Sequence, residues 1–211
     1  MKQILCFGDS NTFGYIPQTH GRYPWGVRWT SLLNEKLGLE KYRVIEEGLV
    51  GRTTIFEDPL RGGRCGVKSL PNILETHTPI DLVIVMLGTN DCKTVYGASA
   101  EVIGKGISKL IGQIRANTKT SEILIISPIH LGNYVWHSEY DPEFSAESIV
   151  VSEKLSYVYQ KICEKENVHF LDAAIYAEPS DEDQEHLNAE GHNLLAHAIL
   201  NKVYEIEKKA V

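Results

Sequence analysis

The chain has 211 residues, a formal net charge of −7, 43% hydrophobic and 23% charged residues. That length and balance fit one globular α/β-sized domain with a sizeable core. The acidic charge argues against nucleic acid or an anionic membrane as main partner, since both demand a basic surface, and no apolar run is long enough to span a bilayer.

The first predicted element is a strand over Gln3–Phe7, built on the apolar run Ile4-Leu5-Cys6-Phe7 and ended by Gly8. The chain enters it directly from Met1-Lys2-Gln3, which leaves no secretory signal and makes a cytoplasmic location the expectation. A helical pattern follows at about Val27–Leu37, then a strand at Arg43–Glu47 and a helix at Ser69–Thr76. The third strand, Asp81–Leu87, is apolar without alternation, as expected when both faces of a parallel sheet are covered. A helix at Ser99–Thr118, a strand at Glu122–Ser127, a helix at Ser145–Asn167 and a strand at His169–Asp172 come next. In the final helix, Asn188–Lys209, Leu194, Leu195, Ala198, Ile199 and Val203 share a face. Strands alternating with helices imply a doubly wound α/β sheet, and neither a repeat nor a linker divides the chain 1–211. Two segments, Gly51–Lys68 and Ile129–Glu143, carry no regular pattern and are expected to wall a pocket at the strand ends.

The cysteines, Cys6, Cys65, Cys92 and Cys163, form no C-x-x-C pair and match no zinc spacing. They are expected as free thiols, with Cys6 in the core.

The chemistry gathers at the strand ends. Ser10 follows the first strand in Gly8-Asp9-Ser10, Gly51 follows the second, Asn90 follows the third in Gly88-Thr89-Asn90-Asp91, and Asp183 and His186 precede the last helix. In an open parallel sheet these loops meet at one edge, where ligands bind. Read alone, Ser10 fits a turn or helix cap as well as a nucleophile. Together the residues form a set for acyl transfer. A serine hydroxyl needs a base within hydrogen-bond reach, which His186 supplies near neutral pH. A carboxylate must fix the imidazole, and Asp183 stands three residues before it; Asp172 and Asp181 are rivals for that role. The oxyanion needs donors, available from the Ser10 and Gly51 backbone and the Asn90 amide. Asp9 and Asp91 are expected to brace the turns around Ser10 and Asn90.

These blocks, in this order, resemble those of the SGNH (GDSL) hydrolases, and they extend over nearly the whole chain. Val27-Arg28-Trp29-Thr30, Glu46-Glu47-Gly48-Leu49 and Arg52-Thr53-Thr54 resemble the aryl esterase/acyltransferase branch. The resemblance implies a flavodoxin-like three-layer α/β/α sandwich on a mostly parallel five-stranded sheet. It also implies a serine esterase acting on short acyl esters through an acyl-Ser10 intermediate, with Ser10, His186 and Asp183 as triad and Ser10, Gly51 and Asn90 around the oxyanion. No cofactor or metal is implied, and a homo-oligomer is. The partner is a small-molecule ester. A carbohydrate O-acetylesterase, a lysophospholipase/thioesterase and a non-catalytic binding module are the other readings. Asn11 stands where many members carry an apolar residue, commonly leucine. Asn11, Trp25, Trp136 and His137 are the candidates for substrate contact, with His130 also in the unassigned loop.

Overall fold

In a computed structural model of the chain, which describes residues 1–118 and 121–209, five strands form one sheet among the described residues. They are β1 (Lys2–Gly8), β2 (Tyr42–Gly48), β3 (Leu82–Met86), β4 (Glu122–Ser127) and β5 (His169–Asp172). The order is β2-β1-β3-β4-β5 and every pairing is parallel. The helices are α1 (Ser10–Phe13), α2 (Trp29–Leu37), α3 (Gly66–His77), α4 (Ala100–Asn117), α5 (Ala146–Glu166) and α6 (Ala189–Lys209).

Alternate strand residues feed two separate cores. Leu5, Phe7, Val83 and Val85 pack with residues of α3, α4 and α5, whereas Ile4, Cys6, Ile84 and Met86 pack with residues of α2 and α6. That is why the central strands β1, β3 and β4 read as apolar runs: each face of the sheet is covered by helices. The resulting three layers place the ends of β1 and β3 at the point where the strand order reverses, so their outgoing turns frame a crevice.

Several elements differ from the sequence reading, each for a local reason. The turn after Gly8 is a short helix, α1, capped by the Asp9 carboxylate accepting from Asn11 N at 3.0 Å. Helix α3 starts at Gly66, not Ser69, because the bridge between Thr53 and Cys65 sets the chain up for it. Pro71 lies inside α3 and has no N–H for the Val67 carbonyl four residues back; Gln113 Nε2 on α4 donates to that oxygen instead, at 2.7 Å. Leu194 is exposed on α6, whose buried stripe is Leu195, Ala198, Ile199, Val203 and Ile206.

Gly48, at the end of β2, shows why a glycine is needed there: a Cβ would stand 2.2 Å from the backbone nitrogen of Phe13. The short helix carrying Ser10 rests directly on the strand end. Trp29, fully buried, steadies the other side of α1 by donating from Nε1 to Asn11 O at 3.1 Å. The segment leading into α2 is tied to β2 by Glu46, which accepts from Arg28 Nη2 at 2.7 Å and Nε at 3.0 Å, and from Thr30.

Candidate active site

Ser10 is the first residue of α1, immediately beyond β1, and His186 enters from the loop before α6. His186 Nε2 lies 2.9 Å from Ser10 Oγ, and Nδ1 lies 2.8 Å from Asp183 Oδ2. The other Asp183 oxygen accepts the backbone N–H of His186 at 2.9 Å and of Glu185 at 3.1 Å. The i, i+3 spacing thus closes a small loop in which the carboxylate holds both the backbone and the ring of the histidine. Burial works against the charge on Asp183, but the bonds from His186 and Glu185 N–H hold its carboxyl below the usual range. Burial likewise opposes the imidazolium, yet Glu185 and Asp183 outweigh it and raise the His186 pKa.

The two rivals for the acid are elsewhere. Asp172 accepts from Ser127 Oγ at 3.0 Å and Ser156 Oγ at 2.6 Å, and Asp181 is exposed.

The serine opens onto a cavity of about 370 Å³ whose lining includes Ser10, Gly51, Asn90 and His186. Gly51 has φ of 81°, a left-handed backbone that favours glycine. Among the described residues, neither the Ser10 nor the Gly51 backbone N–H donates to a protein acceptor. Asn90 Nδ2 donates to Arg52 O at 3.2 Å, which orients the amide. An amide nitrogen carries two hydrogens, so a second one remains.

Behind this first layer, the three strand-end turns are locked to one another. Arg52 is buried, stacks over the Phe7 ring at 4.2 Å, and donates from Nη1 to Gly8 O at 2.8 Å and to Glu47 O. Burial lowers its pKa to about 10. Asp91 accepts from Thr54 N and from Thr54 Oγ1 at 2.5 Å. The brace expected at Asp9 is present, whereas Asp91, expected beside Asn90, holds the turn after β2 instead. Burial pushes the carboxyl groups of Asp9 and Asp91 up to about 7.

The expected substrate contacts fare differently. Asn11 is buried and both ends of its amide are used within the protein: Oδ1 accepts from Leu187 N at 2.9 Å, and Nδ2 donates to Glu185 O at 3.3 Å. Trp25 is half exposed and lies near Arg28, while Trp136 and His137 pack edge-on against each other on the surface. None of the four lines the cavity around Ser10, because the amide of Asn11 is engaged and the rings pack outside it. His130 is also absent from that lining, its Nε2 buried with no partner among the described residues. The two irregular segments do reach the cavity, through Leu60 and Arg61 of one and the carboxylates Asp141 and Glu143 of the other. Sequence reasoning missed Tyr15, Lys93 and Glu185, which also line it. Tyr15 stacks on the His186 ring with centroids 4.4 Å apart. Lys93 pairs with Glu143 and stands 3.6 Å from Asp141 Oδ2. For Glu185, adjacency to His186 was the available signal. The four cysteines are free and buried.

A hydroxyl, an imidazole and a carboxylate bonded in series at the mouth of a cavity, with unspent N–H donors beside the hydroxyl, belong to the serine hydrolases as a chemical class. The description of the GDSL-like lipase/acylhydrolase family fits residues 6–194, and the chain belongs to that family. Its fold is the SGNH hydrolase fold, and its activity is that of a carboxylic ester hydrolase. It is similar to a carbohydrate acetylesterase from Sinorhizobium meliloti, at 34% identity, a TM-score of 0.90, and coverage of 98% of this chain and 100% of that one. It is also similar to an aryl esterase from M. smegmatis, at 32% identity, a TM-score of 0.89, and coverage of 97% and 99%. A lipolytic protein of the G-D-S-L family from Veillonella parvula shares the fold at 17% identity, with a TM-score of 0.71 over 95% and 97% of the two chains. No curated protein matches.

Proposed function

We propose that this esterase cleaves esters of short acyl groups with Ser10 as nucleophile. The observation that carries the reading is the Ser10–His186–Asp183 chain of hydrogen bonds at 2.9 and 2.8 Å, opening on the cavity. Ser10 Oγ attacks the carbonyl carbon as His186 Nε2 takes its proton. Asp183 keeps the other ring nitrogen protonated and pointing at it. The tetrahedral oxyanion faces the N–H groups of Ser10 and Gly51 and the amide of Asn90; each such donor is worth about a hundred- to a thousandfold in rate. His186 returns the proton to the leaving alcohol, and acyl-Ser10 remains. Water, activated by the same imidazole, releases the acid; a second alcohol entering in its place takes the acyl group instead. Ser10→Ala tests the reading: it loses hydrolysis of p-nitrophenyl acetate and labelling by a fluorophosphonate probe while remaining folded. A variant that keeps the wild-type rate would remove Ser10 from the reaction.

A carbohydrate O-acetylesterase is the second reading. It is supported by the charged wall of the cavity, where Arg61, Lys93, Asp141, Glu143 and Glu185 offer hydrogen-bond partners to a polyhydroxylated alcohol, and by the likeness to the Sinorhizobium meliloti acetylesterase. Release of acetate from acetylated sugars at rates comparable to p-nitrophenyl acetate supports it; no release rules it out.

A further inference from the structure

We propose that Glu185 is a second anionic partner of His186, a positioning residue that acts with Asp183 on the imidazole as it becomes charged. This inference rests on the reading of His186 as the general base. Asp183 supplies the hydrogen bond to Nδ1; Glu185 Oε2 lies 3.8 Å from the same nitrogen. Glu185 is only 7% exposed, and it lines the cavity. Among the described residues its carboxylate accepts no hydrogen bond, and His186 Nδ1 is its only basic nitrogen within ion-pairing distance.

A carboxylate taken from water without donors is costly. Here its position is nevertheless enforced by the backbone: Glu185 N donates to Asp183 Oδ1 at 3.1 Å, and Glu185 O accepts from Asn11 Nδ2 at 3.3 Å. The chain therefore holds an under-bonded anion beside a ring that turns cationic only while the proton of Ser10 Oγ rests on Nε2. No proton passes to Glu185 in that step. Its charge lowers the energy of the imidazolium, and hence of the tetrahedral states on either side of acyl-Ser10, more than that of the neutral resting ring.

The other charged and titratable groups around the ring set the balance. From the β1 side come Asp9, Tyr15 and His20; from the turn after β3 comes Lys93; from the 129–143 segment come Asp141 and Glu143; Arg61 lies across the cavity and His192 sits on α6. Burial raises the Glu185 pKa, Asp141 and Asp183 add to that, and His186 and Lys93 oppose it. Lys93 is the cation of the group that offsets Glu185. Burial works against its charge, but Glu185, Glu143 and Asp141 more than offset that.

The test is the pH profile of kcat/KM on p-nitrophenyl acetate for the wild type, Glu185→Gln and Glu185→Asp, with folding checked by circular dichroism. In the wild type the acid limb is expected above the ordinary histidine value, because Glu185 and Asp183 raise the His186 pKa. Glu185→Gln is expected to lower the plateau about tenfold and to move the acid limb down by about one pH unit, since one unit corresponds to a tenfold change in imidazolium stabilisation. A packing defect lowers the plateau and leaves the limb in place. Glu185→Asp keeps the charge but withdraws it by one methylene, so its limb falls between the other two; it carries the test independently of how well the glutamine variant folds. A wild-type limb in either folded variant overturns the proposal. A wild type with no Ser10-dependent rate, or with no acid limb, would instead remove His186 as the base, so the two failures are distinguishable.

Discussion

Asn11 grips His186 from both sides along the chain, accepting from Leu187 N at 2.9 Å and donating to Glu185 O at 3.3 Å. The residue after Ser10 thereby fixes the loop that carries His186. Its neighbour Ser10 and the histidine are held at bonding distance by a contact that involves neither of their reactive atoms.

Asn11→Leu, which installs the side chain common at this place in the family, is expected to leave the Leu187 N–H buried without an acceptor. The cost is about 1–3 kcal/mol of stability, and kcat falls by roughly ten- to a hundredfold as the imidazole drifts. KM changes little, since Asn11 does not line the cavity. Steady-state kinetics and thermal unfolding of the two proteins check this; a raised KM at unchanged kcat would return Asn11 to substrate binding.

Asp9 makes a prediction about stability against pH. Its carboxyl is raised from 3.8 to about 7, burial being the main cause, and Oδ2 has no partner among the described residues. A folded-state value above the unfolded one means that the folded chain binds more protons between the two. The neutral form's advantage is complete below 3.8 and is lost as pH rises toward 7. Stability should therefore decline over that window, and Asp9→Asn, which cannot ionise, should flatten the decline. Urea unfolding at several pH values across the window measures the slope. Parallel slopes in the two proteins would mean that Asp9 is already ionised there. Asp91, raised in the same way, keeps its own share of the slope in the variant.

Two glycines at the crevice differ in what they tolerate. At Gly51 a Cβ would meet Arg61 Nη2 at 2.5 Å, the far end of a flexible side chain, so Gly51→Ala costs chiefly the left-handed backbone, about 1–2 kcal/mol. At Gly48 a Cβ would meet the Phe13 backbone nitrogen at 2.2 Å and must displace α1. Gly48→Ala should therefore lose far more activity than Gly51→Ala, with a stability loss of about 1–3 kcal/mol from overpacking. Kinetics on both variants, with melting temperatures, rank them; the reverse order in kcat would contradict the contact.

The central strands β1, β3 and β4 were legible because each is covered on both faces and so appears as an apolar run, as in Leu82–Met86, whereas the edge strands β2 and β5 are only partly buried. Ser10, Asn90, Asp183 and His186 stand where strands end or just ahead of the last helix, and the structure brings Ser10, Asn90 and His186 to one crevice with Asp183 bonded to the far side of the imidazole. The substrate wall was not legible. Trp25, ahead of α2, and Trp136 and His137, in the 129–143 segment, are aromatic or titratable, but whether such a side chain turns inward depends on packing between distant parts of the chain. Lys93 carries no periodic signal, and burial of its charge is invisible until its partner Glu143 is brought up from another loop, whereas Glu185 stands next to His186 in the chain. The early start of α3 has the same origin, since the Thr53–Cys65 bridge that prepares it joins residues outside any regular pattern.

The bond between Ser10 and His186 spans 176 positions of sequence. At ribosomal rates of 5–20 residues per second, the serine emerges on the order of 10–35 s before its base. Throughout that interval the hydroxyl is an ordinary alcohol at the end of a strand. With Ser10 as the proposed nucleophile, the nascent chain carries it unarmed, and activity through it begins only when the last strand and the loop behind it have docked.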